Sequence, residues 1–174
     1  MNKIYINANR SEIPHNNGVF GDGFEVAVKQ YMGLKPVKSP KNRRDMIYRR
    51  KCYEIKQGAF EFNTELTPEG LRSAFKGNGY IIFCPKMEQT PDGWGWFDPE
   101  AVKIYKKAEF IEAIIQYHDD IDKGILKLTK DKAHLQGLWS ATKNTPHGTK
   151  IYRFVPYIER FAIGSLADLR NGII

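Results

Sequence analysis

Only two cysteines, Cys52 and Cys84, occur in 174 residues. That scarcity excludes a disulfide framework and a cysteine-built zinc site, and it predicts a reduced, intracellular setting. No apolar run approaches the roughly 20 residues a membrane helix needs. The opening Met1-Asn2-Lys3-Ile4-Tyr5-Ile6-Asn7 also lacks the apolar h-region of a secretion signal. A cytoplasmic protein with no membrane partner is therefore expected. Gly21-Asp22-Gly23 and Gly77-Asn78-Gly79 lack the flanking strand and lysine of a phosphate loop and read as turns. With no cofactor motif in view, a small-molecule enzyme has little support. The remainder is an ordinary globular mix, 41% hydrophobic and 27% charged, long enough to bury a core unaided.

The net charge of +7 is unevenly placed. Nine cations (Lys35, Lys38, Lys41, Arg43, Arg44, Arg49, Arg50, Lys51 and Lys56) stand in 22 residues against only Asp45 and Glu54. Elsewhere 18 cations balance 18 anions, so the whole excess is local. Such a density of positive charge attracts a polyanion and releases its counterions, as nucleic-acid binders do. A solvated basic hairpin is the plainer reading of the charges taken alone.

The pattern of residues predicts a short edge strand at Lys3–Ala8, a helix over Phe24–Met32 stopped by Gly33, and an extended piece over Lys35–Pro40. Glu25 falls off the main apolar stripe of that helix. Two strands, Arg44–Tyr48 and Cys52–Gln57, are joined by the basic link Arg49-Arg50-Lys51. Thr67-Pro68-Glu69 starts a second helix, and Tyr80–Pro85 reads as a buried central strand. The glycine- and tryptophan-rich stretch Met87–Pro99 is the best boundary, dividing the chain into residues 1–90 and 91–174. Beyond it, a helix is expected over Lys106–Asp120, strands over Ile125–Thr129 and Lys150–Tyr157, and a terminal helix over Leu166–Arg170.

Glu54-Ile55-Lys56 is the only acid-x-lysine triplet in the chain. Alternation on a strand puts Glu54 and Lys56 on one face and Tyr53 and Ile55 on the other. Asp45 opens the preceding strand, where a hairpin brings it towards Glu54. Two converging carboxylates repel unless a cation stands between them, and a hard divalent ion meets that demand with oxygen ligands and retained waters. An ammonium alongside orients water and stabilises charge gathering on a phosphate. The triplet alone is weak, and a cross-strand ion pair with solvated Glu54 and Lys56 is its plain alternative.

From about Val19 to Pro85, this order of elements resembles the PD-(D/E)XK nuclease superfamily, with Asp45 and Glu54-Ile55-Lys56 at the motif positions. The likeness is nearest to the Holliday-junction-resolvase and small restriction-nuclease branches, where a first-helix glutamate joins the site, as Glu25 does in position. Gln57, after the lysine, is another residue such nucleases often carry. Arg44 stands where the pattern has proline. The resemblance implies an α+β (α/β) fold: a core of helix, three-stranded meander, helix and strand, followed by a C-terminal α+β extension packed on it. It also implies Asp45 and Glu54 as ligands of Mg²⁺ (or Mn²⁺), Lys56 as the catalytic ammonium and Glu25 as an auxiliary acid. A DNA endonuclease, pairing as a two-fold dimer when both strands are cut, is the first expectation. The basic residues from Lys35 to Lys51 would hold the phosphate backbone. The rival is a catalytically idle module of the same fold from a phage or mobile element, gripping nucleic acid or a host nucleoprotein machine. An anti-CRISPR inhibitor of an RNA-guided nuclease is one such use.

Other constellations carry less. His118-Asp119-Asp120 with Asp122 reads as a solvated, frayed helix end. His15, His134 and His147 have no mutual spacing that builds a site. Cys52 shares a face with Glu54, although both cysteines suit the role of small buried hydrophobes. Trp94 and Trp96, in a glycine-rich loop, suit either base stacking or packing between the two halves. Lys143, Lys150 and Arg153, flanking Trp139 and Tyr152, suit a second nucleic-acid contact or a strand covering a core.

Overall fold

Helix α1 (Val19–Tyr31) follows strand β1 (Ile4–Asn7) and carries Phe24, Ala27 and Val28 at helical spacing into the core. The computed structural model describes residues 4–7, 19–40, 44–57, 59–62, 68–74, 78–84, 88–89, 94–124, 149–152 and 159–174. Gly33, at φ +73°, ends the helix in the left-handed conformation that a side chain resists. Strands β2 (Met46–Tyr48) and β3 (Lys51–Gln57) then form an antiparallel hairpin. β4 (Ala59–Phe62) and α2 (Pro68–Ala74) lead to β5 (Tyr80–Cys84), whose apolar run is buried on both faces. β6 (Glu88–Gln89), β7 (Trp94–Phe97) and β8 (Lys103–Lys106) precede the long helix α3 (Lys107–Asp122). The last elements are β9 (Thr149–Tyr152), a 3₁₀ turn at Glu159–Phe161, β10 (Gly164–Ser165) and α4 (Leu166–Asn171).

Five strands make a mixed sheet in the order β10-β8-β5-β3-β2, with β3 and β5 parallel and the other pairs antiparallel. One face buries Tyr53, Ile55, Ile82 and Ile104 against Phe24 and Val28 of α1 and Leu166 and Leu169 of α4. On the other face Phe83 and Tyr105 meet Phe110 of α3 edge-on, with ring centroids 5.8 and 5.1 Å apart. The chain is thus a small α/β domain, a mixed sheet flanked by helices. Strands β8 and β10, beyond residue 90, pair into the sheet that holds β3 and β5, and Phe97 and Val102 share the core of α1. Among the described residues no helix is long and apolar enough to cross a membrane.

Several expectations are revised. The stretch Lys35–Pro40 carries no strand, so the expected three-stranded meander is a two-stranded hairpin. Pro36 and Pro40 lack ladder donors, and the carbonyl of Val37 accepts instead from Lys29 Nζ at 2.8 Å. Trp94 and Trp96 lie on a strand, not a loop, because β1 supplies the partner that pairs Tyr5 with Trp96. Helix α3 continues through Asp122, and Asp120, expected at a frayed end, is buried and accepts from Gln116 Nε2 at 2.8 Å. The Lys150–Tyr157 expectation is met over β9, which pairs with β4 away from the main sheet. Ile125–Thr129 lies outside the described residues, as do His15, His134, His147, Trp139, Lys143 and Arg153.

The hairpin turn is unusual. Arg49 and Arg50, between the paired Tyr48 and Lys51, have φ of +47° and +63°. Two successive left-handed residues make a type I′ turn, a position that favours Asn-Gly. Each non-glycine residue held there costs about 1–2 kcal/mol.

Candidate active site

Met46 pairs with Tyr53, so the same antiparallel register sets Asp45, one residue earlier, opposite Glu54. The backbone N–H of Ile55 donates to Asp45 Oδ2 at 2.8 Å, tying the carboxylate to the neighbouring strand. Glu54 and Lys56 share one face of β3, and Lys56 Nζ lies 2.9 Å from Glu54 Oε1. Tyr53 and Ile55 go the other way, into the core. The charged face has a structural reason. In the parallel register Glu54 stands beside Ile81 and Lys56 beside Phe83, and those apolar neighbours are buried. Helix α3 packs over β5 and β8. Out on β3, both charged side chains keep about a third of their surface in solvent.

Burial is the largest influence on Asp45 and raises its pKa above the ordinary carboxylate range. The Ile55 amide and the Lys56 ammonium oppose the rise, while Glu25 and Glu54 add to it. Glu25, Glu54 and Lys56 therefore all act electrostatically on Asp45. Among the described residues no three or more His, Cys, Asp or Glu side chains gather as a metal cage. Asp45 and Glu54 are the two carboxylates that could hold a hard ion, which water would have to complete.

Glu25 departs from its expected place. It is 7% exposed, not off the apolar stripe, because Lys29, one turn later and 6% exposed, goes inside with it. Lys29 Nζ lies 2.6 Å from Glu25 Oε1 and donates to Val37 O and Ser39 Oγ, both at 2.8 Å. The backbone N–H of Ser39 donates to the same Glu25 oxygen at 2.7 Å, and Ser39 Oγ donates to Asp45 O at 2.8 Å. Helix α1 is thereby linked through residue 39 to the backbone of Asp45. Lys29 and Ser39 were not among the expected site residues. Their one sequence signal is the (i, i+4) spacing of Glu25 and Lys29. Lys29, Lys35, Ser39, Arg44 and Asp45 line an open cleft of about 600 Å³.

The basic residues divide. Lys35, Lys38, Arg44, Arg49, Arg50 and Lys51 are exposed, whereas Lys41 and Arg43 lie outside the described residues. Arg44 Nη1 meets Cys52 Sγ. Arg49 lies over the Tyr48 ring, 5.1 Å from its centroid, and Lys51 over Tyr80 at 5.2 Å. Gln57 ends β3, half-buried. Cys84 is buried, as expected of a small hydrophobe, whereas Cys52 is only half-buried.

No family model, no curated protein and no solved structure matches this chain.

Proposed function

We propose that this protein is a Mg²⁺-dependent DNA endonuclease of the PD-(D/E)XK type. The observation that carries the reading is the placement of Asp45 opposite Glu54, with the Lys56 ammonium held 2.9 Å from that glutamate. Asp45 and Glu54 would hold the ion, and Mn²⁺ suits the same oxygen donors. A bound divalent ion supplies Lewis-acid polarisation of the scissile phosphate. Lys56 orients the attacking water and places positive charge beside the phosphate where negative charge gathers. Glu25, saturated by Lys29 and Ser39, is a positioning acid in this reading, not a ligand. The basic stretch Lys35–Lys51 holds the DNA backbone. A two-fold dimer would set one site on each strand.

Plasmid cleavage with Mg²⁺, with Mn²⁺ and with excess EDTA tests the proposal. Lys56→Ala is expected to lose cleavage by about 10²-fold or more while duplex affinity stays near wild type. Cleavage that persists in EDTA, or in Lys56→Ala, overturns it.

A second reading, the idle nuclease-like module that grips nucleic acid or a nucleoprotein machine, draws support from a different observation. Glu25 and Glu54 each already have an ammonium partner, at 2.6 and 2.9 Å. Under this reading Asp45→Ala keeps the protein's biological effect and only the basic stretch matters.

A further inference from the structure

The hairpin tip places two arginines in the left-handed region, φ +47° at Arg49 and +63° at Arg50, where glycine or asparagine would sit without strain. Strain of this kind persists only where the surroundings hold it or function requires it. Arg49 is held. Its guanidinium stacks on Tyr48, and a Cβ placed on Gly172 would stand 3.1 Å from Arg49 Nη1. Arg49 therefore lies against the C-terminal end of α4, where the last carbonyls favour a cation. Lys51 is turned onto the ring of Tyr80. For the exposed Arg50, between these two cations, the described residues offer no partner.

We infer that the tip is a divided device, in which Arg49 is a fixed support and Arg50 is the contact that meets a phosphodiester backbone. The inference rests on the nucleic-acid reading of the basic stretch and adds which cation touches the ligand and where. Three adjacent cations with no acid on the turn repel one another, and a phosphate between them removes that repulsion. Arg50 suits this because its planar fork pairs with two phosphate oxygens at once.

Arg50→Gly separates the strain from the contact, since glycine accepts φ +63° freely. The full-length variant, titrated onto a fluorescent 20-base-pair duplex across a salt series without Mg²⁺, is expected to melt at or above wild type yet bind more weakly. Its log Kd against log salt slope is expected to fall by about 0.9. Arg50→Lys, which keeps the charge, is expected to retain the wild-type slope. Wild-type affinity and slope in Arg50→Gly, with wild type binding the duplex steeply, overturn the inference and leave the nucleic-acid reading standing. A wild-type protein that does not hold the duplex overturns both.

Discussion

The N–H of Ile55, the residue after Glu54 on β3, donates to the carboxylate of Asp45 at 2.8 Å. A side chain here takes the place that a ladder carbonyl would fill in a longer strand. The hairpin stops pairing through its backbone at Met46 and continues for one more step through an acid. That step holds the Asp45 carboxylate against the neighbouring strand.

Replacing Asp45 by Asn tests the electrostatics of that arrangement. A carboxyl whose folded pKa is raised binds its proton more tightly when folded, so stability falls as pH rises through the raised value. Asparagine keeps an acceptor for the Ile55 N–H and cannot ionise. In EDTA, Asp45→Asn is expected to melt above wild type at pH 7, with the gap closing below the ordinary value of 3.8. Added Mg²⁺ is expected to raise the melting temperature of wild type and not of the variant. Differential scanning fluorimetry reads both, and an Asn variant melting below wild type at pH 7 refutes the account.

The Glu25–Lys29 pair is a different case, because both groups are inside. Lys29→Met leaves a buried carboxylate without its cation and is expected to cost about 3–5 kcal/mol. Glu25→Gln/Lys29→Met removes both charges and is expected to recover most of the loss. Urea unfolding of the two singles and the double closes the cycle. A Lys29→Met loss no larger than that of an ordinary surface substitution would mean that the pair is not sealed.

At the far end of the chain, Ser165 and Asp168 form a reciprocal capping box on α4, with Ser165 N donating to Asp168 Oδ2 at 2.8 Å and Asp168 N to Ser165 Oγ at 3.1 Å. Hydrogen bonding to its carboxylate by the Ser165 backbone N–H, and then by the Ser165 side chain, lowers the pKa of Asp168. A lowered carboxyl stabilises the fold above its unfolded pKa, and that contribution is lost as pH falls through the folded value. Ser165→Ala is expected to cost about 0.5–2 kcal/mol, and Asp168→Asn to flatten the acid side of the stability curve. Thermal melts between about pH 2 and pH 6, bracketing the ordinary carboxylate range, measure the second effect. An unchanged acid limb rejects it.

The apolar cores of the helices were legible, because helical spacing and strong stop signals are local facts, whereas Gly21-Asp22-Gly23, read as a turn, lies inside α1. Gly33 closes α1, and the terminal helix over Leu166–Arg170 runs one residue further. The alternation of β3 was legible too, with Tyr53 and Ile55 inside and Glu54 and Lys56 outside. The type I′ turn was not, since Arg49-Arg50 contains neither glycine nor asparagine. Nor was the burial of Glu25, because a charged residue is placed outside until its partner is known, and Lys29 has three contacts contributed partly by residues 37 and 39.

Sequence alone determined the inventory and its spacing: the concentrated positive charge, the single acid-x-lysine triplet and the alternation that puts its charged pair on one face. Tertiary structure decided the neighbours. Pairing of β1 with β7 joins residues about ninety apart, and the packing of α3 over β5 brings together elements separated in the chain. The reason is physical: periodicity is written into a segment by its own side chains, whereas burial and electrostatic environment are set by whichever distant surface folds against it.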